Sequence, residues 1–158
     1  MKTTDFLCPD AICADLQGET KSDIISELLT LLIKAGVLDK KYKNKTFEIL
    51  MAREALGSTA IGQGIAIPHG KCDCAKELVG CLGISKKGIN FDSLDGEPAH
   101  IFFLIVAPVD SAGPHLKALA RISRLLKDKY VRDSLKTAKD EKAMLKIIQQ
   151  EDTRLAKL

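Results

Sequence analysis

Tryptophan is absent from this 158-residue chain, and the aromatic residues together make up only 4% of it. A core built from it must be aliphatic. The aromatic-and-basic interleaving that carries base stacking in nucleic-acid binders also has little raw material here. Charge of one sign is lacking too: 24 basic and 21 acidic residues leave a net +3, spread along the chain. That balance argues against a nucleic-acid partner. No apolar run approaches the ~18 residues that cross a bilayer. The start, Met1-Lys-Thr-Thr-Asp-Phe6, has no signal-peptide hydrophobic stretch. The five cysteines (8, 13, 72, 74 and 81) are odd in number and too few for a disulfide scaffold. These absences predict a reduced, cytoplasmic protein with no direct membrane insertion.

What is present is ordinary for a globular domain: 46% apolar and 28% charged residues, enough chain for one real core. Residues 8–16 read as a short strand or edge segment interrupted by Pro9. Thr20-Lys-Ser-Asp23 fits a capping box, opening a helix whose Ile24, Ile25, Leu28, Leu29, Leu32 and Ile33 recur at helical spacing until Gly36. A second helix is predicted over residues 41–56, with Phe47, Leu50, Met51 and Ala55 inward. A glycine-rich loop at 57–64 leads to a strand at 65–67. A further strand is expected at 78–84, a turn at Lys86-Lys-Gly88, and a central strand at 101–107. Pro114 marks the first turn of a helix with Leu116, Leu119, Ile122 and Leu126 as its apolar face. Lys117, Arg121, Arg124 and Asp128 form its predicted wet face. A C-terminal helix opens near Asp140 and packs Ala143, Met144, Ile147 and Ile148. Helices, then strands, then helices predict an α/β fold: a single-domain mixed β-sheet flanked by helices on both faces.

The segment Gly62-Gln-Gly-Ile-Ala-Ile-Pro-His-Gly70 carries the most chemistry. It delivers His69 just past a strand end, where loops usually hold functional groups. Neutral imidazole is a nucleophile near pH 7 and can carry a phosphoryl group. Nucleotide motifs fail here. The run Gly62-x-Gly64-x-x-Ile67 lacks the third glycine and precedes a strand instead of following one. The P-loop echo from Gly64 to Gly70-Lys71 has five intervening residues and Cys72 where Ser or Thr would hold Mg²⁺. His115 follows Pro114 in a predicted first helical turn, where free N–H groups favour an anion and hold imidazole neutral. Arg53, near a helix end, offers a planar fork suited to phosphate oxygens or simply complements the helix dipole. His100, at the start of the 101–107 run, reads as structural. Two histidines and an arginine would serve phosphoryl transfer without a metal.

The run from Arg53 through Leu-Gly-Ser-Thr-Ala-Ile-Gly to Pro-His-Gly70 resembles the signature of enzyme IIA of the fructose/mannitol class. That class belongs to the bacterial phosphoenolpyruvate-dependent phosphotransferase system (PTS). Residues 107–119, Ala-Pro-Val-Asp-Ser-Ala-Gly-Pro-His-Leu-Lys-Ala-Leu, resemble its second histidine motif, and the likeness covers residues 6–152. The resemblance implies that His69 accepts phosphate from an HPr-type phosphocarrier. His115 and Arg53 would steady the phosphoryl group, and Thr59, Gly62 and Gly64 would shape the pocket and offer hydrogen bonds. It implies a mixed sheet with helices and no cofactor. Downstream it implies either a IIB domain in sugar uptake or regulated target proteins in the nitrogen-regulatory branch. The stand-alone length and the Leu-Gly-Ser-Thr-Ala-Ile-Gly wording lean toward the regulatory branch.

One feature departs from that pattern. His69-x-x-Cys72-x-Cys74, with Cys81 beyond, has ligand types that could hold Zn²⁺, although Cys-x-Cys is a poor structural-zinc spacing. Metal on His69 would block its phosphorylation. A redox-sensitive Cys72/Cys74 pair is the other reading, while Cys81 reads as a small core residue.

Overall fold

The computed structural model describes residues 1–157. Six strands, Leu7–Cys13 (β1), Ala60–Gly62 (β2), Ile65–Ala66 (β3), His69–Lys71 (β4), Val79–Ile89 (β5) and Ala99–Ala107 (β6), form one mixed sheet. Its order is β1-β5-β6-β3-β2, and β4 also pairs with β6. β1 runs parallel to β5, β6 antiparallel to β5, and both β3 and β4 parallel to β6. The helices are Lys21–Lys34 (α1), Lys43–Ala55 (α2), Ala112–Leu126 (α3), Lys129–Thr137 (α4) and Glu141–Ala156 (α5).

The alternation of side chains along β6 explains the layers. Phe102, Leu104 and Val106 pack with Ile24, Ile25, Leu28 and Leu50 of α1 and α2. Ile101, Phe103 and Ile105 pack with Ile122, Leu125, Met144 and Ile148 of α3 and α5. A strand buried on both faces reads as a continuous apolar run, and the expected α/β sheet with helices on both faces results. Helix starts follow their caps. Thr20 accepts the Asp23 N–H at 3.2 Å, and Asp140 accepts the Ala143 N–H at 2.8 Å.

Several details differ from expectation. Pro9 does not interrupt β1, because β1 is an edge strand and its register with β5 shifts between Leu7 and Ile12. The predicted turn at Lys86-Lys-Gly88 is part of β5, which bulges between Ile84 and Ile89 instead of ending. α2 follows a short 3₁₀ turn at Lys40–Tyr42 and turns Thr46, Leu50 and Glu54 inward, leaving Ala55 exposed. α3 is rotated so that His115, Ala118, Ile122, Leu125 and Leu126 face the core while Leu116 stands exposed. Arg121, expected on the wet face, is nearly buried and pairs with Asp152 at 2.9 Å. The same carboxylate accepts the N–H groups of Thr3 (2.9 Å) and Thr4 (3.0 Å), tying the N-terminus to α3 and α5.

Candidate functional site

β3 and β4 are two pieces of one extended path beside β6, separated at Ile67-Pro68, and β4 is built on the register His69↔Ile105. Because His69 lies opposite Ile105, its side chain shares the face that Ile105 presents to α3. The next residue, Gly70, turns to the other face. A Cβ there would lie 3.0 Å from Ile49 Cγ2 and 3.4 Å from Leu50 Cδ2, so glycine lets α2 sit directly on β4. The alternation of one short strand thus puts His69 toward α3 and brings α2 against its back.

His69 Nδ1 lies 2.7 Å from the carbonyl oxygen of Ile67. A carbonyl only accepts, so Nδ1 carries the proton and Nε2 keeps its lone pair. Burial lowers the His69 pKa below the ordinary imidazole range, the Ile67 carbonyl opposes that, and the Arg53 charge lowers it further. Neutral, oriented imidazole with a free Nε2 is the form that attacks phosphorus.

His115 enters from the first turn of α3, its ring centroid 5.4 Å from that of His69 in a near edge-to-face arrangement. Its Nε2 is buried without a hydrogen-bond partner. Such an orphan in a buried polar group is costly unless a ligand completes it. Burial, then the His69 ring and Lys71, hold His115 below its usual pKa. Lys71 reaches this side by the same strand alternation that turns His69 there.

Arg53 comes from the last turn of α2, on the opposite face, and its Nη1 donates to the Gly57 carbonyl at 2.8 Å. Its charge is felt at His69. The next residue, Glu54, was invisible to helix patterning, yet it is buried and organises the loop that follows. It accepts both the N–H (3.2 Å) and the hydroxyl of Thr59, and pairs with Lys21 at 3.2 Å. The Thr59 hydroxyl is thereby committed to Glu54, so Thr59 positions the loop and offers no free donor to a phosphoryl group.

Gly62 and Gly64 do not join the histidines. They form the tight β2–β3 turn with φ of 93° and 79°. His100 N–H donates to the Gly64 carbonyl at 2.8 Å, whereas His69 pairs with Ile105. Those positions are five residue steps apart along the strand, about 16 Å. The two glycines therefore lie at the other end of β6 from His69 and His115. His100 is structural, its Nδ1 bonding the Ser85 carbonyl at 2.9 Å. Cys81 is fully buried, its thiol pushed well up by burial.

The zinc arrangement fails on strand geometry: His69 faces α3, while Cys72, three residues on, packs in the core under α1 and α2. Among the described residues no group of three or more His, Cys, Asp or Glu could hold a metal ion. Cys72 and Cys74 are instead joined by a disulfide, contrary to the expectation of a fully reduced chain.

Residues 5–151 match the family described as phosphoenolpyruvate-dependent sugar phosphotransferase system, EIIA 2. A nitrogen regulatory protein of Bradyrhizobium diazoefficiens is 38% identical over 148 residues, 94% of this chain and 95% of that protein. The fructose-specific EIIABC component of Bacillus subtilis is 40% identical over 152 residues, 96% of this chain but 24% of the longer protein. The crystal structure of nitrogen regulatory protein IIA-Ntr from Neisseria meningitidis superposes with a TM-score of 0.82 at 31% identity, over 91% of this chain and 97% of that one. The half-buried His69 and the buried His115 therefore sit in a phosphotransferase component that carries phosphate on histidine, and the chain belongs to the EIIA type 2 family of the PTS.

Proposed function

We propose that His69 is the phospho-acceptor, that it is charged at Nε2, and that the donor is the phosphohistidine of an HPr-type phosphocarrier. The observation that carries this reading is the Nδ1–Ile67 bond, which leaves Nε2 as the only ring nitrogen able to attack. In the transfer a bond forms between Nε2 and phosphorus while the donor's N–P bond breaks. The donor imidazole leaves with the electron pair. The orphaned Nε2 of His115, protonated, would donate to a phosphoryl oxygen, and Arg53 would add positive charge at the rim. No nucleotide or metal is needed, because the donor already holds the phosphoryl group on nitrogen.

EIIA domains exchange phosphate with phosphocarrier proteins and IIB domains. For this chain we favour the nitrogen-regulatory branch, in which the phosphorylated and free states act on target proteins in the cytoplasm. The support is that the chain spans nearly the whole of a nitrogen regulatory protein. Transport of fructose- or mannitol-type sugars through a IIB domain is the second reading, supported by the 40% identity to the fructose component. Among the described residues no helix is long and apolar enough to cross a membrane. Incubation with phosphoenolpyruvate, enzyme I and HPr should give acid-labile phosphate on the wild type and none on His69→Ala. Equal labelling of both would overturn the assignment. Transfer from the labelled protein to a IIB domain at a rate matching its loading would favour transport over regulation.

A further inference from the structure

The Cys72–Cys74 disulfide lies just beyond β4 and against the first turns of α2, and its two sulfurs are not equivalent. Cys72 continues the path of β4 beyond His69: its N–H donates to the Ala107 carbonyl at 2.9 Å, and the residue is 1% exposed. Cys74 is half-buried and lines a cleft of about 610 Å³ at the C-terminal end of α1. Ile33, Val37 and Tyr42 give that cleft apolar walls, and its charged lining mixes Lys40, Lys41 and Lys76 with Asp39 and Glu77, which suits a small molecule bearing both carboxylates and an ammonium. One sulfur is therefore open to attack and the other is buried. The buried Cys72 sulfur also sits 3.2 Å from the Cys74 N–H, a donor placed to support it as a departing thiolate.

The same short loop holds α2. Cys74 Sγ lies 3.5 Å from Thr46 Oγ1, and Asp73 forms an ion pair with Lys45. α2 carries Arg53 and packs on β4 through Gly70, so the loop is continuous with both elements of the site.

We propose that Cys72 and Cys74 form a thiol–disulfide switch, operated by a small carboxylate-bearing thiol of the glutathione class that enters the cleft at Cys74. This rests on the reading of His69 as phospho-acceptor only for its effect on phosphorylation. In the reductive direction a thiolate attacks Cys74 Sγ. The Cys72–Cys74 bond breaks, and Cys72 leaves as a thiolate and takes a proton. A second thiolate attacks the sulfur of the small thiol in the resulting mixed disulfide, releasing Cys74. The protein disulfide gains two electrons and two protons, and two small thiols leave as one small disulfide. The bridged state clamps the 72–76 loop on α2 and keeps α2 seated on β4. Opening the bridge loosens the frame of His69 and Arg53.

The test uses the full chain in glutathione buffers of varied reduced-to-oxidised ratio, with differential alkylation read by mass spectrometry. Cys72 and Cys74 should change state together and reversibly, with a trapped adduct on Cys74, while Cys81 does not respond. Amide exchange over residues 43–55 and 69–76 should speed up on reduction. Loading of His69 should slow about threefold, a difference of roughly 0.6 kcal/mol in barrier. The Cys72→Ser/Cys74→Ser variant should load at the reduced rate at every ratio. Independent alkylation of the two cysteines, or an adduct on Cys72 instead, would overturn the switch. Unchanged amide exchange would do so as well. Those readouts need no phosphate, so failure of His69 to label would refute the phosphoryl reading and leave them decisive. Equal loading rates in both states would refute the coupling.

Discussion

Replacing Glu54 tests how the α2–β2 connection holds the site. The carboxylate is 6% exposed and has three partners: the N–H and the hydroxyl of Thr59, and the ammonium of Lys21. Glu54→Ala leaves both Thr59 donors buried without an acceptor, at about 1–3 kcal/mol each before relaxation. Lys21 retains Asp92 at 3.0 Å, and its side chain is 17% exposed, so its loss is small compared with a buried pair broken outright. A net cost of about 3 kcal/mol follows, a fall in Tm of roughly 6–12 °C for a domain of this size. Glu54→Gln keeps one acceptor for Thr59 but sets an NH₂ group against Lys21, so its cost should be about half as large. The electrostatic consequence is separate. The Glu54 charge raises the His69 pKa against the pull of burial, so either substitution should lower it further. Thermal unfolding and the imidazole C2–H titration by NMR measure the two effects. A Tm within about 1 °C of wild type would rule out Glu54 as the anchor of the loop, and an upward shift of the His69 pKa would rule out its electrostatic effect there.

Other expectations follow from the same contacts. Both His69 and His115 should titrate below the usual imidazole value, so loading should be pH-independent above about 6.5 and fall on acidification. Because the folded pKa values are depressed, the unfolded chain binds protons first. Stability should therefore decline as pH drops below about 6.5, which urea titrations at a series of pH values would measure. Gly70→Ala should force Ile49 and Leu50 of α2 to give by a few tenths of an ångström, since the new Cβ meets Ile49 at 3.0 Å; loading should slow and Tm fall, and neither changing would count against the packing. Asp152→Asn should cost about 2–3 kcal/mol at pH 7, measured by urea unfolding. Burial alone would raise the Asp152 pKa, but Thr3, Arg121 and Thr4 lower it on balance. Its contribution is thus present above about pH 4, and the gap from wild type should close as pH falls through the depressed native value.

The elements with strong periodicity were legible in advance: α1 between Thr20 and Gly36, β6 as an apolar run, and α5 after Asp140. His115 in a first helical turn is legible because Pro114 marks that turn, whereas His69, expected just past a strand end, opens the strand β4 because the chain resumes pairing with β6 after Pro68. Other features needed tertiary structure. Arg121 and Glu54 look like solvent-facing charges until their partners Asp152 and Thr59, distant or beyond the helix end, are in place. The Lys86-Lys-Gly88 stretch looks like a turn because its charges face water, yet the bulge keeps it in β5. The family resemblance implies that Gly62 and Gly64 shape the pocket of His69. An extended strand instead carries them to the other end of the sheet. The Cys-x-Cys spacing leaves zinc and a redox-sensitive pair open beside a reduced chain; strand alternation removes the zinc set by turning Cys72 away from His69, and the bridge itself is legible only in the structure.

The most direct test is to load the ¹⁵N-histidine-labelled protein through phosphoenolpyruvate, enzyme I and HPr, and to locate the phosphorus by ³¹P–¹⁵N correlation. A single phosphohistidine is expected, bonded through Nε2 of His69, with Nδ1 still protonated toward the Ile67 carbonyl. Phosphorus on Nδ1 of His69, on His115, or on no histidine would contradict it.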